Sequence, residues 1–148
     1  MNDPMNTTFP CKKVLLVDDD DIITTIFRIF AKKQVPDLEL LTTNDSSKAF
    51  ELLREFRPDL LLIDLFMPNL DGMSLVRALR SDPELSTLPV IFFTAAYRDP
   101  QLRTMLKDPQ VLGVIGKPFS PKEVFAQIAE LYREYLKRSV EAEVKEVG

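Results

Sequence analysis

The sequence predicts an α/β fold, a doubly wound parallel sheet of five strands with helices on both faces, and three observations carry that prediction. Five short apolar runs are continuous rather than alternating, as strands buried on both faces read. Between them the apolar period becomes helical. Four of the five runs end on Asp, Thr or Lys, and sheets of this kind place their ligand sites at the carboxyl ends of the strands. Parallel neighbours require a crossover, normally a helix, and right-handed crossovers prevail.

Taken in order, Met1–Pro10 has no period and reads as a disordered lead-in. Val14-Leu15-Leu16-Val17 is the first strand and runs into four aspartates, of which Asp20 and Asp21 read as helix caps. In the first helix Ile22, Ile26 and Ile29 share one face, with Ile23, Phe27 and Phe30 beside it. Leu38–Thr42 is a weaker, edge-like strand. The second helix is capped by Asn44, Asp45 or Ser46, carries Ala49, Leu52, Leu53 and Phe56, and closes before Pro58. Leu60-Leu61-Leu62-Ile63 is the third strand, and Met73, Leu75, Val76 and Leu79 mark the third helix. Val90-Ile91-Phe92-Phe93 is the fourth strand. Asp99-Pro100 opens a short fourth helix that ends near Asp108-Pro109. Val111–Ile115 is the fifth strand. A long fifth helix opens at Ser120-Pro121 and carries Val124, Ile128, Leu131 and Tyr135. The domain is expected over 11–138, with 139–148 a tail or linker stub.

With 148 residues and 45% apolar content, one domain with one core is expected. The formal charge is −4 and no basic stripe is present, which disfavours direct nucleic-acid binding. No apolar run approaches the length of a membrane span, and Met1–Pro10 lacks the pattern of a secretion signal, so a cytoplasmic protein is expected. Cys11 is the only cysteine and reads as a small apolar residue. The absence of histidine excludes Ser-His-Asp and Cys-His sites, histidine metal ligands and a phosphohistidine carrier. Chemistry must run on carboxylates, lysine and hydroxyls.

Asp18 and Asp19 end the first strand, Asp64 the third, Thr94 the fourth and Lys117 the fifth, so the fold brings all five to one edge. Converging carboxylates repel and desolvate one another unless they share a cation, and Mg²⁺ suits an oxygen-only donor set. A carboxylate beside a divalent ion, a hydroxyl and a lysine has what phosphoryl transfer requires.

Four motifs then carry a resemblance: Val17-Asp18-Asp19-Asp20, the stretch from Leu62 through Asp64 and Pro68 to Asp71-Gly72, Phe93-Thr94-Ala95, and Gly116-Lys117-Pro118-Phe119. Over roughly Lys12 to Leu136 the chain resembles the receiver domains of bacterial two-component response regulators, and a single-domain member is expected. The resemblance implies flavodoxin-like topology with strand order 2-1-3-4-5. It implies that Asp64 accepts a phosphoryl group from a phosphohistidine on a sensor histidine kinase or histidine phosphotransfer protein. Asp19, Asp64 and the backbone carbonyl of Phe66 would bind Mg²⁺, or Mn²⁺ in its place, with Asp18 acting through a water. Thr94, Ala95 and Lys117 would meet the phosphoryl group, while Pro68, Gly72 and a cis Pro118 shape the site. The helix 4, strand 5 and helix 5 surface would then signal to an output protein or a second copy, without membrane or direct nucleic-acid contact. No enzymatic turnover is expected beyond the chain's own phosphoryl transfer and slow dephosphorylation.

Three departures stand out. The family's aromatic three residues before the lysine is Val114 here, so either helix-four movement or another aromatic such as Tyr97 must carry the switch. Phe66 and Ala96 cannot orient a hydrolytic water by hydrogen bonding, which implies a long-lived aspartyl phosphate. The stretch Gly113–Pro121 lacks a Gly-Ala step that many receivers have. Among competing readings, a haloacid-dehalogenase-type phosphatase would need Asp where Phe66 stands, and a degenerate receiver would lack an acidic residue or the lysine. A piece of a larger regulator or hybrid kinase would read the same.

Overall fold

The computed structural model describes residues 8–68 and 71–147. Strands β1 (Lys13–Val17), β2 (Glu39–Thr43), β3 (Leu60–Ile63), β4 (Val90–Thr94) and β5 (Val111–Gly116) alternate with helices α1 (Asp21–Gln34), α2 (Ala49–Phe56), α3 (Gly72–Arg80), α4 (Gln101–Met105) and α5 (Val124–Val147). All neighbouring strands pair parallel, in the order β2-β1-β3-β4-β5. Fold and strand order are those the sequence implies.

Side chains alternate across the sheet and so make two cores. Leu15, Val17, Leu61, Ile63 and Phe92 face α2, α3 and α4, meeting Leu53, Leu75, Val76, Leu79, Leu102 and Met105. Val14, Leu16, Leu62, Ile91 and Phe93 face α1 and α5, meeting Phe27, Ala31, Val124, Phe125 and Ile128. The central strands are buried along their whole length, whereas β2, at the edge, is only half-buried.

The buried face of α1 differs from the expected one. Thr24, Phe27 and Ala31 turn inward, while Ile22 and Ile29 stay 69% and 47% exposed. Isoleucines on nearly every turn gave the helix two candidate faces. The large Phe27 ring settled the choice by packing edge-on against Phe93 and Phe125, each centroid 5.2 Å away.

Other boundaries shift for local reasons. A 3₁₀ turn over Ser46–Lys48, capped by Asp45, leads into α2, and Arg57 ends that helix in the left-handed region with φ 51°. Asp99 accepts from the Gln101 N–H at 2.8 Å, but α4 stops at Met105 instead of near Asp108. Turn bonds take over there, from the Lys107 N–H to Thr104 and from the Asp108 N–H to Met105. Ser120 and Pro121 form a turn before α5 rather than its first residues. Beyond Arg138, α5 continues to Val147, with Val140 and Val144 exposed. At the other end, Met1–Thr7 of the expected lead-in lie outside the described residues, but Phe9 packs on Phe125 at 6.4 Å.

The β4–β5 register shifts between Val90 and Ile91, which pair with Val111 and Gly113 and so skip Leu112. A bulge of this kind adds one residue and re-aims the strand. Gly113 then faces α5, where a Cβ would lie 3.1 Å from Leu131. Among the described residues, no helix is long and apolar enough to cross a membrane.

Candidate metal and phosphoryl site

Each site residue sits where a strand stops pairing. Beyond β1, Asp18 is fully buried and donates its N–H to the Thr43 carbonyl at 3.1 Å. Its Oδ1 accepts from the Asp20 N–H at 3.0 Å, and Asp20 in turn caps α1 by accepting from Ile22. Asp21 bonds Asn44 after β2, so Asp20 and Asp21 serve the helix entry. Beyond β3, the Asp64 N–H reaches the Val17 carbonyl at 3.2 Å, which sets Asp64 beside the end of β1. Carboxylate oxygens of buried Asp18, exposed Asp19 and nearly buried Asp64 all lie within 4.8 Å of one another. A set made only of carboxylate oxygens, with one member open to solvent, fits a hard cation such as Mg²⁺, which keeps several waters.

Lys117 follows β5, and its N–H donates to the Thr94 carbonyl at 3.0 Å. Its Nζ lies 2.5 Å from Asp18 Oδ2 and 3.1 Å from Asp64 Oδ2. An aromatic floor supports it: Phe93, Phe27 and Phe119 pack with centroids 4.8–5.4 Å apart. The ammonium stands 5.4 Å from the Phe93 ring centroid. Sequence reading missed this floor, although Phe27 and the phenylalanines next to Thr94 and Pro118 were visible signals. The Lys117–Pro118 bond is cis.

Protons favour this pocket. Burial pushes the Asp18 carboxyl above the usual carboxylate range, although the Lys117 ammonium pulls the other way. Burial alone would lower Lys117, but the hydrogen bond and charge of Asp18, helped by Asp64, hold it above its ordinary range. The two directions have different causes: burial raises Asp18, whereas the carboxylates facing Lys117 outweigh the burial that would lower it. Cys11 stands apart, buried, its thiol pushed up to about 12 by burial and by nearby Asp59, and a thiol so rarely ionised is a poor nucleophile.

Thr94 is buried, and its hydroxyl accepts from the Ala96 N–H at 3.1 Å. That leaves its own proton free to donate. Ala95 beside it is exposed, as are Phe66 and Pro68 after Asp64. Asp64 Oδ1 faces the Phe66 N–H at 3.4 Å, a long contact. Asn69 and Leu70, inside the expected turn, lie outside the described residues. Gly72 has a stronger reason than turn formation: a Cβ there would stand 2.2 Å from the Asp64 carbonyl oxygen. Its N–H bonds the Leu65 carbonyl at 2.8 Å, so the start of α3 lies directly against the Asp64 backbone.

Val114 is half-buried on the α3 and α4 side, packed against the core there. The aromatic that touches β5 is Tyr97, whose Cδ1 lies 2.9 Å from where Gly116 would carry a Cβ. Half of that ring is exposed. A glycine just before the lysine was a readable signal for it, but its partner was not.

The response regulator receiver domain family model matches residues 14–129. Among curated proteins, the chain is 29% identical to the probable C4-dicarboxylate response regulator DctR of Halalkalibacterium halodurans, over 93% of this chain and 58% of that protein. It is 33% identical to the DNA-binding response regulator MtrA of Mycolicibacterium smegmatis, over 79% of this chain and 49% of that one. The chain thus spans about half the length of these relatives. Among solved structures, the Vibrio cholerae chemotaxis protein CheY4 superposes with a TM-score of 0.71 at 24% identity, covering 82% of this chain and 98% of that one. The phosphorylated cyanobacterial phytochrome response regulator RcpA gives 0.67 at 25% identity, covering 85% and 94%.

Proposed function

Because the chain belongs to the response regulator receiver family, we propose that it is a phosphorylation switch in which Asp64 accepts a phosphoryl group from a phosphohistidine of a partner protein. Response regulators interact with histidine kinases, and a kinase or a phosphotransfer protein is the donor in this reading. The observation that supports it best is the reach of one lysine to two carboxylates of the acidic cluster, 2.5 Å to Asp18 and 3.1 Å to Asp64.

In the transfer, an Asp64 oxygen bonds to phosphorus as the phosphorus–nitrogen bond to the donor imidazole breaks, and the departing nitrogen takes a proton. Asp18, Asp19, Asp64 and the Phe66 carbonyl would hold Mg²⁺, which supplies charge neutralisation at the transferring oxygens. Lys117 balances the charge gained on Asp64. Thr94 and the Ala95 N–H donate to the new oxygens. The added charge of about −1.5 to −2 draws Thr94 and Lys117 toward it and shifts the population of states across the α4, β5 and α5 surface. In this reading the chain turns over no substrate beyond its own phosphoryl group.

The test is to expose purified protein to acetyl phosphate with and without Mg²⁺ and to locate the modification by mass spectrometry. Label on Asp64, dependent on Mg²⁺ and absent in Asp64→Asn, is expected. Label elsewhere, or none, overturns the reading.

A further inference from the structure

β2 is an edge strand, paired only with β1 among the described residues. The Glu39 N–H bonds the Lys12 carbonyl at 2.8 Å and the Thr43 carbonyl accepts from the Asp18 N–H at 3.1 Å, so Glu39, Leu41 and Thr43 turn their backbone groups toward β1. Leu40 and Thr42 then turn theirs outward, where no strand among the described residues pairs with them. Along this edge, between α1 and β2, runs a groove of about 390 Å³. Ala31, Val35, Leu38 and Leu40 give it an apolar floor, and Arg28 and Lys32 stand exposed on its rim. It reaches the turn from α1 into β2, at the end of the sheet opposite Asp64. Arg28 donates to the hydroxyls of Thr42 and Thr25. Neither Arg28 nor Lys32 forms an ion pair among the described residues, and no Asp or Glu among them lines the groove.

We propose that this edge receives an acidic, extended segment of a partner protein, added to the sheet as a further strand beside β2. Its backbone would bond the outward N–H and C=O groups of Leu40 and Thr42, and its side chains on the α1 side would enter the groove. Arg28 and Lys32 are four residues apart on one face of α1, a rise of about 6 Å. Side chains on one face of a strand recur every second residue, about 6.6 Å apart, so carboxylates at alternate positions match the two cations. An aliphatic side chain next in that series would cover Val35 and Leu38. Exposed ion pairs are individually weak, so the backbone bonds and apolar contact carry the affinity and the cations select the segment's charge. A second copy fits less well. Antiparallel pairing of two β2 strands would bring Arg28 and Lys32 of one copy up to those of the other, and the α1 side of β2 offers them Leu40 and Thr42 but no carboxylate.

Binding at this edge needs no chemistry at Asp64. The probe is a fluorescent peptide of about seven residues, with valine, glutamate, glutamate and valine at alternate positions and threonine between them, a pattern that reads the same in either strand direction. Fluorescence anisotropy with the full chain should show it binding at least about tenfold tighter than an analogue with lysine in place of glutamate, and than one with its backbone nitrogens methylated. Binding should weaken as salt rises. Arg28→Glu with Lys32→Glu should weaken it about tenfold. Lys137→Glu with Arg138→Glu, an equal charge change on exposed positions of α5, should not, with thermal melts showing both variants folded. Amide hydrogen exchange at Leu40 and Thr42 should slow when the peptide is bound, while that of Leu41, already paired with β1, should not.

No binding, equal binding of the glutamate and lysine peptides, or undiminished binding of the methylated one overturns the proposal. So does equal loss in the two double variants, or unaltered exchange at Leu40 and Thr42. Protection of those two amides that rises with protein concentration in the absence of peptide overturns it as well, since a second copy then fills the edge.

Discussion

The Lys117 ammonium lies closer to the carboxylate of Asp18, at 2.5 Å, than to that of Asp64, at 3.1 Å. The lysine is therefore held mainly by a carboxylate other than the proposed phosphoacceptor. Removing it should leave Asp64 able to react while uncoupling the rest of the surface. Lys117→Ala is expected to keep Mg²⁺-dependent labelling in acetyl phosphate but to lose the phosphorylation-dependent amide shifts in β5 and α5. Full shifts in that variant would mean that another group reads the phosphate.

Asp18 should make Mg²⁺ binding depend on pH. Its carboxyl is raised by burial, so its contribution to the metal-free fold is complete below the ordinary carboxylate value and is lost as pH climbs through the raised one. Mg²⁺ offsets the charge that appears, so it should stabilise more at pH 7 than at pH 5. At about a hundred times its Kd, Mg²⁺ adds about 2.7 kcal/mol, several degrees of Tm for a domain of this size. Melting curves at both pH values test this. A Mg²⁺ effect of equal size at both would rule it out.

Gly72 should tolerate no side chain. With a Cβ placed 2.2 Å from the Asp64 carbonyl oxygen, Gly72→Ala must push α3 or Asp64 aside. A cost of about 2–3 kcal/mol is expected from the overpacking, together with slower labelling at temperatures where circular dichroism shows the variant folded. An unchanged Tm would show that the backbone yields freely.

Tyr97 lies over Gly116, one residue from Lys117 and three from Thr94. Since Val114 carries no ring to swing, Tyr97 is the aromatic placed to relay movement of the β4–α4 loop to β5. Tyr97→Ala is expected to label normally and to show a much smaller shift of the Gly116 amide on phosphorylation. A Gly116 response equal to that of the parent chain would assign the relay to the backbone.

Phosphate on Asp64 should be long-lived, because Phe66 and Ala96 offer no side-chain hydrogen bond to water. Phe66 is half exposed, so a polar residue is accommodated there at little cost. Phe66→Asn should shorten the half-life on the order of tenfold, less than the roughly 10²–10⁴-fold of a full general acid or base, because an amide can orient the water but not take its proton. Phosphate release from the labelled protein measures it. Rapid loss from the unaltered chain with Mg²⁺ and no phosphatase would contradict the expectation.

Much of this molecule was legible without coordinates, for a physical reason. Continuous runs such as Leu60–Ile63 have few places to go other than between two layers, and parallel strands impose helical crossovers. The polar residues that interrupt those runs, Asp18, Asp64, Thr94 and Lys117, are then carried to one edge by topology alone. Tertiary packing decided whatever depended on competition between equal local options. Ile22, Ile26 and Ile29 offered α1 one face and Thr24, Phe27 and Ala31 another, and only the fit of the Phe27 ring against Phe93 and Phe125 chose between them. The contacts of Gly72 with the Asp64 backbone and of Gly116 with Tyr97 join residues distant in the chain, so no spacing rule announces them.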